Sequence, residues 1–247
     1  MNTPCLSLLV LFFGACHTEK VDTESTDHGA TPQAPTEQST TNTDDSANPT
    51  TPLSPGLTTL WITQEIDGED VEREVLIAAP NTLSSETYPV VFAFHGATGE
   101  NNKFVSQMDH LVQGGAFVGV YPQGHHGYWA LGVEPSNADD VAFIDAIIAE
   151  LETMEQIDVD QMYAVGISNG AGISHRAAIQ TTHFRAFAAM STALTVSPVP
   201  DPSTHPVSVL QIMGMEDGLC PYDGGETTIG HTFMPAEKSV ATWATAI

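Results

Sequence analysis

Apolar residues fall into three regimes along the chain. Leu6 to Phe13 is an apolar run of about eight residues, too short to span a bilayer and of the length of a signal-peptide core. Residues 17–56 consist of Thr, Ser, Pro, Asp and Glu with almost no large apolar side chain. Such a segment cannot bury enough surface to offset its ordering entropy, so it reads as a disordered tether. From Leu57 onward, short strand-like runs alternate with helical spacing. Leu60-Trp61-Ile62-Thr63 and residues 71–79 flank Asp67-Gly68, a dipeptide that favours a two-residue hairpin turn. Residues 89–94 are apolar on both faces, as a buried strand must be, and 117–121 form the next such run. Over 139–154, Val141, Ile144, Ile147, Ile148, Leu151 and Met154 recur at helical spacing, with Asn137 placed to cap the start. Strands at 162–167, 187–190 and 207–213, and helices at 169–179 and from 235 on, complete the series. Strands alternating with helices predict an α/β fold: a mostly parallel sheet covered on both faces, opened by an antiparallel hairpin.

Charge changes this picture little. The 31 acidic against 6 basic residues give a net charge of −25, of which the seven acids and one lysine of 17–56 contribute −6. A polyanion repels phosphate backbones and anionic headgroups, which disfavours nucleic acid as a partner, and the acid excess reads as a solvated surface. The apolar run leads into Phe13-Gly14-Ala15-Cys16, which resembles a bacterial lipobox, with Cys16 as the lipidated residue; an ordinary cleaved secretory signal is the alternative. Either predicts export to the cell envelope or the extracellular space, with membrane contact only through that anchor. Cys5 and Cys16 lie in the leader, so Cys220 has no internal disulfide partner.

The strongest chemical signal is Gly166-Ile167-Ser168-Asn169-Gly170. A strand runs straight in and a helix straight out, the setting a nucleophile elbow requires. Small residues flank the turn because a Cβ there would strike backbone, and Ser168 stands at the positive end of the following helix. A second piece, His95-Gly96-Ala97-Thr98-Gly99, follows the 89–94 strand directly. Acyl transfer needs preorganised donors for an oxyanion; the Ala97 N–H from this loop and the N–H of Asn169, next to the nucleophile, fill that role. His95 reads as holding the loop through its ring, not as a base. The third piece is Gly214-Met215-Glu216-Asp217 after the 207–213 strand. Asp217 is placed as the triad acid, fixing a histidine tautomer and stabilising its imidazolium, with Glu216 as the neighbouring alternative.

Taken in order, His95-Gly96, Tyr121-Pro122-Gln123-Gly124, Trp129, Asp140-Val141-Ala142-Phe143-Ile144, Gly166 to Gly170, and Asp217 through Pro221-Tyr222-Asp223-Gly224-Gly225 resemble the secreted esterases grouped as polyhydroxybutyrate depolymerases and feruloyl or acetylxylan esterases, over roughly residues 70–247. The resemblance implies an α/β-hydrolase fold and hydrolysis of hydroxybutyrate, feruloyl or acetyl esters by a Ser-His-Asp triad, with no metal or organic cofactor. It also implies aromatic residues lining the substrate cleft, matched by Tyr128 and Trp129. In this fold the triad histidine follows one more helix and strand after the acid loop. The chain is therefore read as a C-terminally truncated hydrolase domain at 57–247, its last strand missing and its histidine beyond residue 247. His231, in Gly230-His231-Thr232, is a weak substitute because it precedes the last helix; His125, His126, His175 and His205 read as surface or loop residues. Without a base, such a site retains about 10³–10⁴ over water, so the chain is expected to be weakly active or inactive. The alternative function is a catalytically inactive surface lipoprotein that binds polysaccharide or polyester in the same cleft.

Overall fold

The computed structural model describes residues 51–247; the leader, the lipidation candidate Cys16 and the linker up to residue 50 lie outside the described residues. The packed chain starts earlier than its composition suggests. Thr51 donates to the Thr153 carbonyl at 3.0 Å and accepts from the Glu155 N–H at 2.8 Å. Leu53, the one leucine within 17–56, is buried in the core. A single large apolar side chain with a cavity to fill outweighs the polar composition around it.

Strands β1 (Gly56–Ile66) and β2 (Glu69–Ala79) pair antiparallel with Ile66 opposite Glu69. Only Asp67 and Gly68 join them, at φ of 55° and 86°. Positive φ at both positions is the type I′ turn whose twist suits a hairpin. The remaining strands of the sheet are β3 (Tyr88–Phe94), β4 (Val118–Pro122), β5 (Ile157–Ile167), β6 (Phe184–Met190) and β7 (Ser208–Ile212). Their order is β1-β2-β4-β3-β5-β6-β7. Strands β3 to β7 run parallel, while β2 meets β4 antiparallel. Every residue of β4 is buried, as expected where both sheet faces are covered. This is the strand arrangement of the α/β-hydrolase fold.

Among the described residues, four helices flank the sheet: α1 (Asn102–Gln113), α2 (Asp140–Glu152), α3 (Asn169–Gln180) and α4 (Ala236–Ala246). Helix α1 had no counterpart in the hydrophobic pattern. Phe104, Met108 and Val112 sit at helical spacing and are buried, but the polar residues between them dilute the signal. Asp139, not Asn137, caps α2, its carboxylate accepting the Ala142 N–H at 3.0 Å. Asn137 instead donates to Asp67 at the hairpin turn. A short antiparallel pair, β8 (Gly225–Glu226) and β9 (Thr232–Phe233), was also unforeseen. The carboxyl ends of β3, β5, β6 and β7 carry the segments 95–99, 168, 191–192 and 214–220, and in open α/β sheets that end is where ligands bind.

Candidate active site

Ser168 alone connects β5 to α3, at φ 54° and ψ −121°. A non-glycine residue held there costs about 1–3 kcal/mol and persists only if its surroundings fix it. They do: Ser168 N–H donates to the Met190 carbonyl at 2.8 Å, and the Ser168 carbonyl accepts from Ala171 and Gly172 at 2.9 and 3.1 Å and from Thr192 Oγ1 at 2.9 Å. The flanking glycines are dictated by space. A Cβ on Gly166 would lie 2.0 Å from the Gly170 oxygen, and one on Gly170 would lie 2.1 Å from the Phe94 oxygen and 2.4 Å from that of His95. Asn169, as the first residue of α3, has a backbone N–H with no intrahelical acceptor.

The 95–99 loop is held against this turn. A Cβ on Gly96 would stand 3.5 Å from that of Ser168, so the backbone passes close by, and exposed Ala97 lines the same cleft. His95 is 3% exposed. Its Nε2 accepts the Gly124 N–H at 2.9 Å, which leaves the ring proton on Nδ1, donated to the Gly96 carbonyl at 2.7 Å. Burial pushes the ring's pKa below its ordinary value, so it is neutral. His95 thus fixes the peptide preceding Ala97, the loop-holding role read from the sequence.

One wall of the cleft is residues 128–135, the end of an irregular segment, 123–135, whose backbone is tied largely by side chains from elsewhere. Arg73 donates to the Gln123 carbonyl, and Thr98 N–H donates to that of Gly127. Asn169 brackets one residue, its Oδ1 accepting the Trp129 N–H at 2.7 Å and its Nδ2 donating to the Trp129 carbonyl at 2.9 Å. Asp140, in a buried ion pair with Arg73 at 2.7 Å, accepts the Ala130 N–H. Arg176 donates to the Ala130 and Leu131 carbonyls. Glu134 was not singled out from the sequence, yet its carboxylate joins three segments. Oε2 accepts the N–H groups of Leu131 and Val133 at 2.7 and 3.2 Å; Oε1 accepts from Asn169 Nδ2 at 2.9 Å and from His231 Nε2 at 2.8 Å. Burial opposes its charge, but the hydrogen bonds from His231 and Leu131 prevail and hold it below the usual carboxylate range.

Asp217 Oδ1 accepts the Leu219 and Cys220 N–H groups, both at 2.9 Å. It does not line the cleft, although its loop reaches it through buried Cys220. Cys220 Sγ lies 3.7 Å from the Thr192 hydroxyl that bonds the Ser168 carbonyl. Neighbouring Glu216 is exposed. Among the described residues no histidine is hydrogen-bonded to Ser168 or Asp217, and none of their His, Cys, Asp and Glu side chains form a group that could hold a metal ion.

The cleft encloses about 280 Å³ and brings together Ala97, Tyr128, Glu134, Ser168, Asn169, His175 and His231, with Leu131, Val133, Ile179 and Phe233 supplying apolar surface. Two expectations are corrected. Trp129, expected on the cleft wall, is 0% exposed; its indole N–H donates to the His95 carbonyl at 2.8 Å and its ring packs edge-on against Phe94. A polar tip with a backbone acceptor lets the whole ring go inside. His175, expected at the surface, lies under the cleft. Its Nδ1 accepts the Trp243 indole N–H at 3.1 Å, and burial pushes its pKa down to about 4.

No protein-family profile matches the chain. In sequence it is 30% identical over 166 residues to the probable feruloyl esterase C of Aspergillus flavus, covering 63% of this chain and 59% of that protein. It is also 30% identical over 172 residues to feruloyl esterase C of Emericella nidulans, covering 66% and 61%. The chain therefore spans about three fifths of the length of these curated relatives. Among solved structures, a thermostable esterase superposes with a TM-score of 0.53 at 17% identity, over 76% of this chain and 52% of that one. The chain has the α/β-hydrolase fold, and in sequence it is similar to feruloyl esterases.

Proposed function

We propose that this protein is a serine esterase with Ser168 as nucleophile. One observation carries the reading: a positive-φ serine between strand and helix, crowded by backbone on both sides, faces the Gly96-Ala97 turn across the mouth of an apolar cleft. Ser168 Oγ attacks the ester carbonyl carbon as its proton passes to a base, and the carbonyl oxygen becomes an oxyanion facing the N–H groups of Ala97 and Asn169. Collapse breaks the bond to the alcohol, which leaves with that proton; water then cleaves the acyl-serine by the same route. Asp217 is the acid that orients a histidine base, and the base is assigned to none of the described residues. The substrates are carboxylic esters whose acyl part suits an apolar slot, of the feruloyl, acetyl or hydroxybutyrate kind, as free or polymer-borne groups. The apolar leader ending in Gly14-Ala15-Cys16 supports an exported, lipid-anchored protein.

Intact mass after treatment with a fluorophosphonate tests this. A single adduct on Ser168, lost in Ser168→Ala, is expected, and the same substitution should remove whatever p-nitrophenyl acetate hydrolysis the protein shows. An adduct elsewhere, or none, refutes Ser168.

A further inference from the structure

We infer that Glu134 is a positioning residue of this ester-cleaving site, holding the first residue of α3 in register for oxyanion binding through the Asn169 side chain; the inference rests on the serine-esterase reading. The Asn169 amide has a single workable orientation. Its Oδ1 faces the Trp129 N–H, so its Nδ2 must serve the two acceptors opposite, the Trp129 carbonyl and Glu134 Oε1. An ionised carboxylate only accepts, and with four donors on its two oxygens Glu134 has little freedom to turn. Its side chain is 6% exposed and that of its other partner, His231, 9%, so water does not compete for these bonds.

The consequence for chemistry follows from adjacency. Ser168 and Asn169 are consecutive, and the Asn169 N–H is one of the two donors proposed for the oxyanion. A side chain pinned between Trp129 and Glu134 fixes the peptide that carries that N–H. Three segments far apart in sequence meet at this one carboxylate: the 128–135 wall, the start of α3, and the β8–β9 hairpin through His231. A donor misplaced by a fraction of an ångström loses far more in the transition state than in ground-state binding, so the effect belongs in the chemical step.

The test is the rate of fluorophosphonate labelling at Ser168, followed by intact mass, with melting curves to admit only folded variants. Glu134→Gln turns one acceptor into a donor and is expected to slow labelling about tenfold or more, with unchanged concentration for half-maximal rate. Asn169→Asp keeps the backbone N–H but sets a carboxylate against both Glu134 and the Trp129 carbonyl, and should slow labelling at least as much; Glu134→Ala, which removes the acceptor without adding a donor, carries the test if Glu134→Gln fails to fold. The double variant of Glu134→Gln with Asn169→Asp restores a donor–acceptor pair and should label at least threefold faster than the product of the single effects. Labelling within twofold of wild type in the folded single variants, or effects that simply multiply, overturns the inference while leaving Ser168 as nucleophile. A wild-type chain unlabelled at Ser168 overturns both.

Discussion

The glycines of α3 offer a controlled test of how the elbow is built. Gly170→Ala and Gly172→Ala place the same methyl group on the same helix, two residues apart, and both gain helix propensity worth up to about 1 kcal/mol. Their surroundings differ in kind. The new Cβ at 170 would lie 2.1 and 2.4 Å from the carbonyl oxygens of Phe94 and His95, which belong to β3 and the loop it feeds. Neither can yield without moving the sheet or the 95–99 turn. Overpacking against rigid backbone costs about 1–3 kcal/mol, occasionally more, and contact at these distances belongs at the upper end, so Gly170→Ala should be net destabilising by about 2 kcal/mol after the helical gain. At 172 the clash is with Leu131 Cδ1 at 2.3 Å, while Leu131 Cγ is already 3.5 Å away. A methyl tip beside an open cleft can rotate aside, so Gly172→Ala should fall within about 1 kcal/mol of wild type. Urea midpoints followed by tryptophan fluorescence measure both. Because the wedge at 170 also parts α3 from the His95 turn, labelling at Ser168 should fall in that variant even where it remains folded. Equal midpoints for the two variants would refute the packing argument.

Buried His175 predicts a pH dependence. Its folded pKa of about 4 lies below the ordinary 6.5, so its neutral form is favoured by folding; that contribution is complete above pH 6.5 and is lost as pH falls toward 4. At pH 5 the loss is about 2 kcal/mol, so wild type should lose about that much more than His175→Gln between pH 7 and 5 in urea titrations, and parallel losses would refute a neutral buried imidazole. For the leader, labelled palmitate fed to a bacterial host making the full chain should be incorporated and lost in Cys16→Ser; incorporation that survives the substitution excludes Cys16 as the anchor.

What was legible in the sequence is what local sterics dictate. The Asp67-Gly68 turn and Gly166, whose Cβ would strike the Gly170 oxygen, each answer a constraint imposed within a few residues, so each could be read from one short window; Gly96 and Gly170 face each other's segments from parts of the chain remote in sequence and were legible only through the motifs that contain them. Burial was harder to read than geometry. Trp129 and His175 are amphipathic side chains whose placement depends on a remote partner, the His95 carbonyl for one and the Trp243 indole for the other. Glu134 was hidden for the same reason. In Gly132-Val133-Glu134-Pro135 it looks like any acid of a surface loop in a chain with 31 of them, and its defining partners lie 35 and 97 residues further on.

That remoteness also bears on how the cleft works. Segment 123–135 contains only a short 3-10 turn, His125–Gly127, so its backbone polar groups cannot be satisfied by regular pairing. A half-buried loop in that condition should be unstable unless its shielded polar groups find partners from outside. Here they come as side chains: Arg73 from β2, His95 from the end of β3, Asp140 from α2, Asn169 and Arg176 from α3, and Glu134 from within the loop itself. Four elements of the sheet and its helices thus fix a wall that has almost no secondary structure of its own. Such a wall does not have to close on the substrate. Its shape is set on folding, and two of the residues that set it, His95 and Asn169, are the same ones that hold or carry the proposed oxyanion donors. Substrate fit and oxyanion geometry are therefore coupled through shared hydrogen bonds, and a substitution that reshapes the 128–135 wall should seldom leave the chemistry at Ser168 untouched.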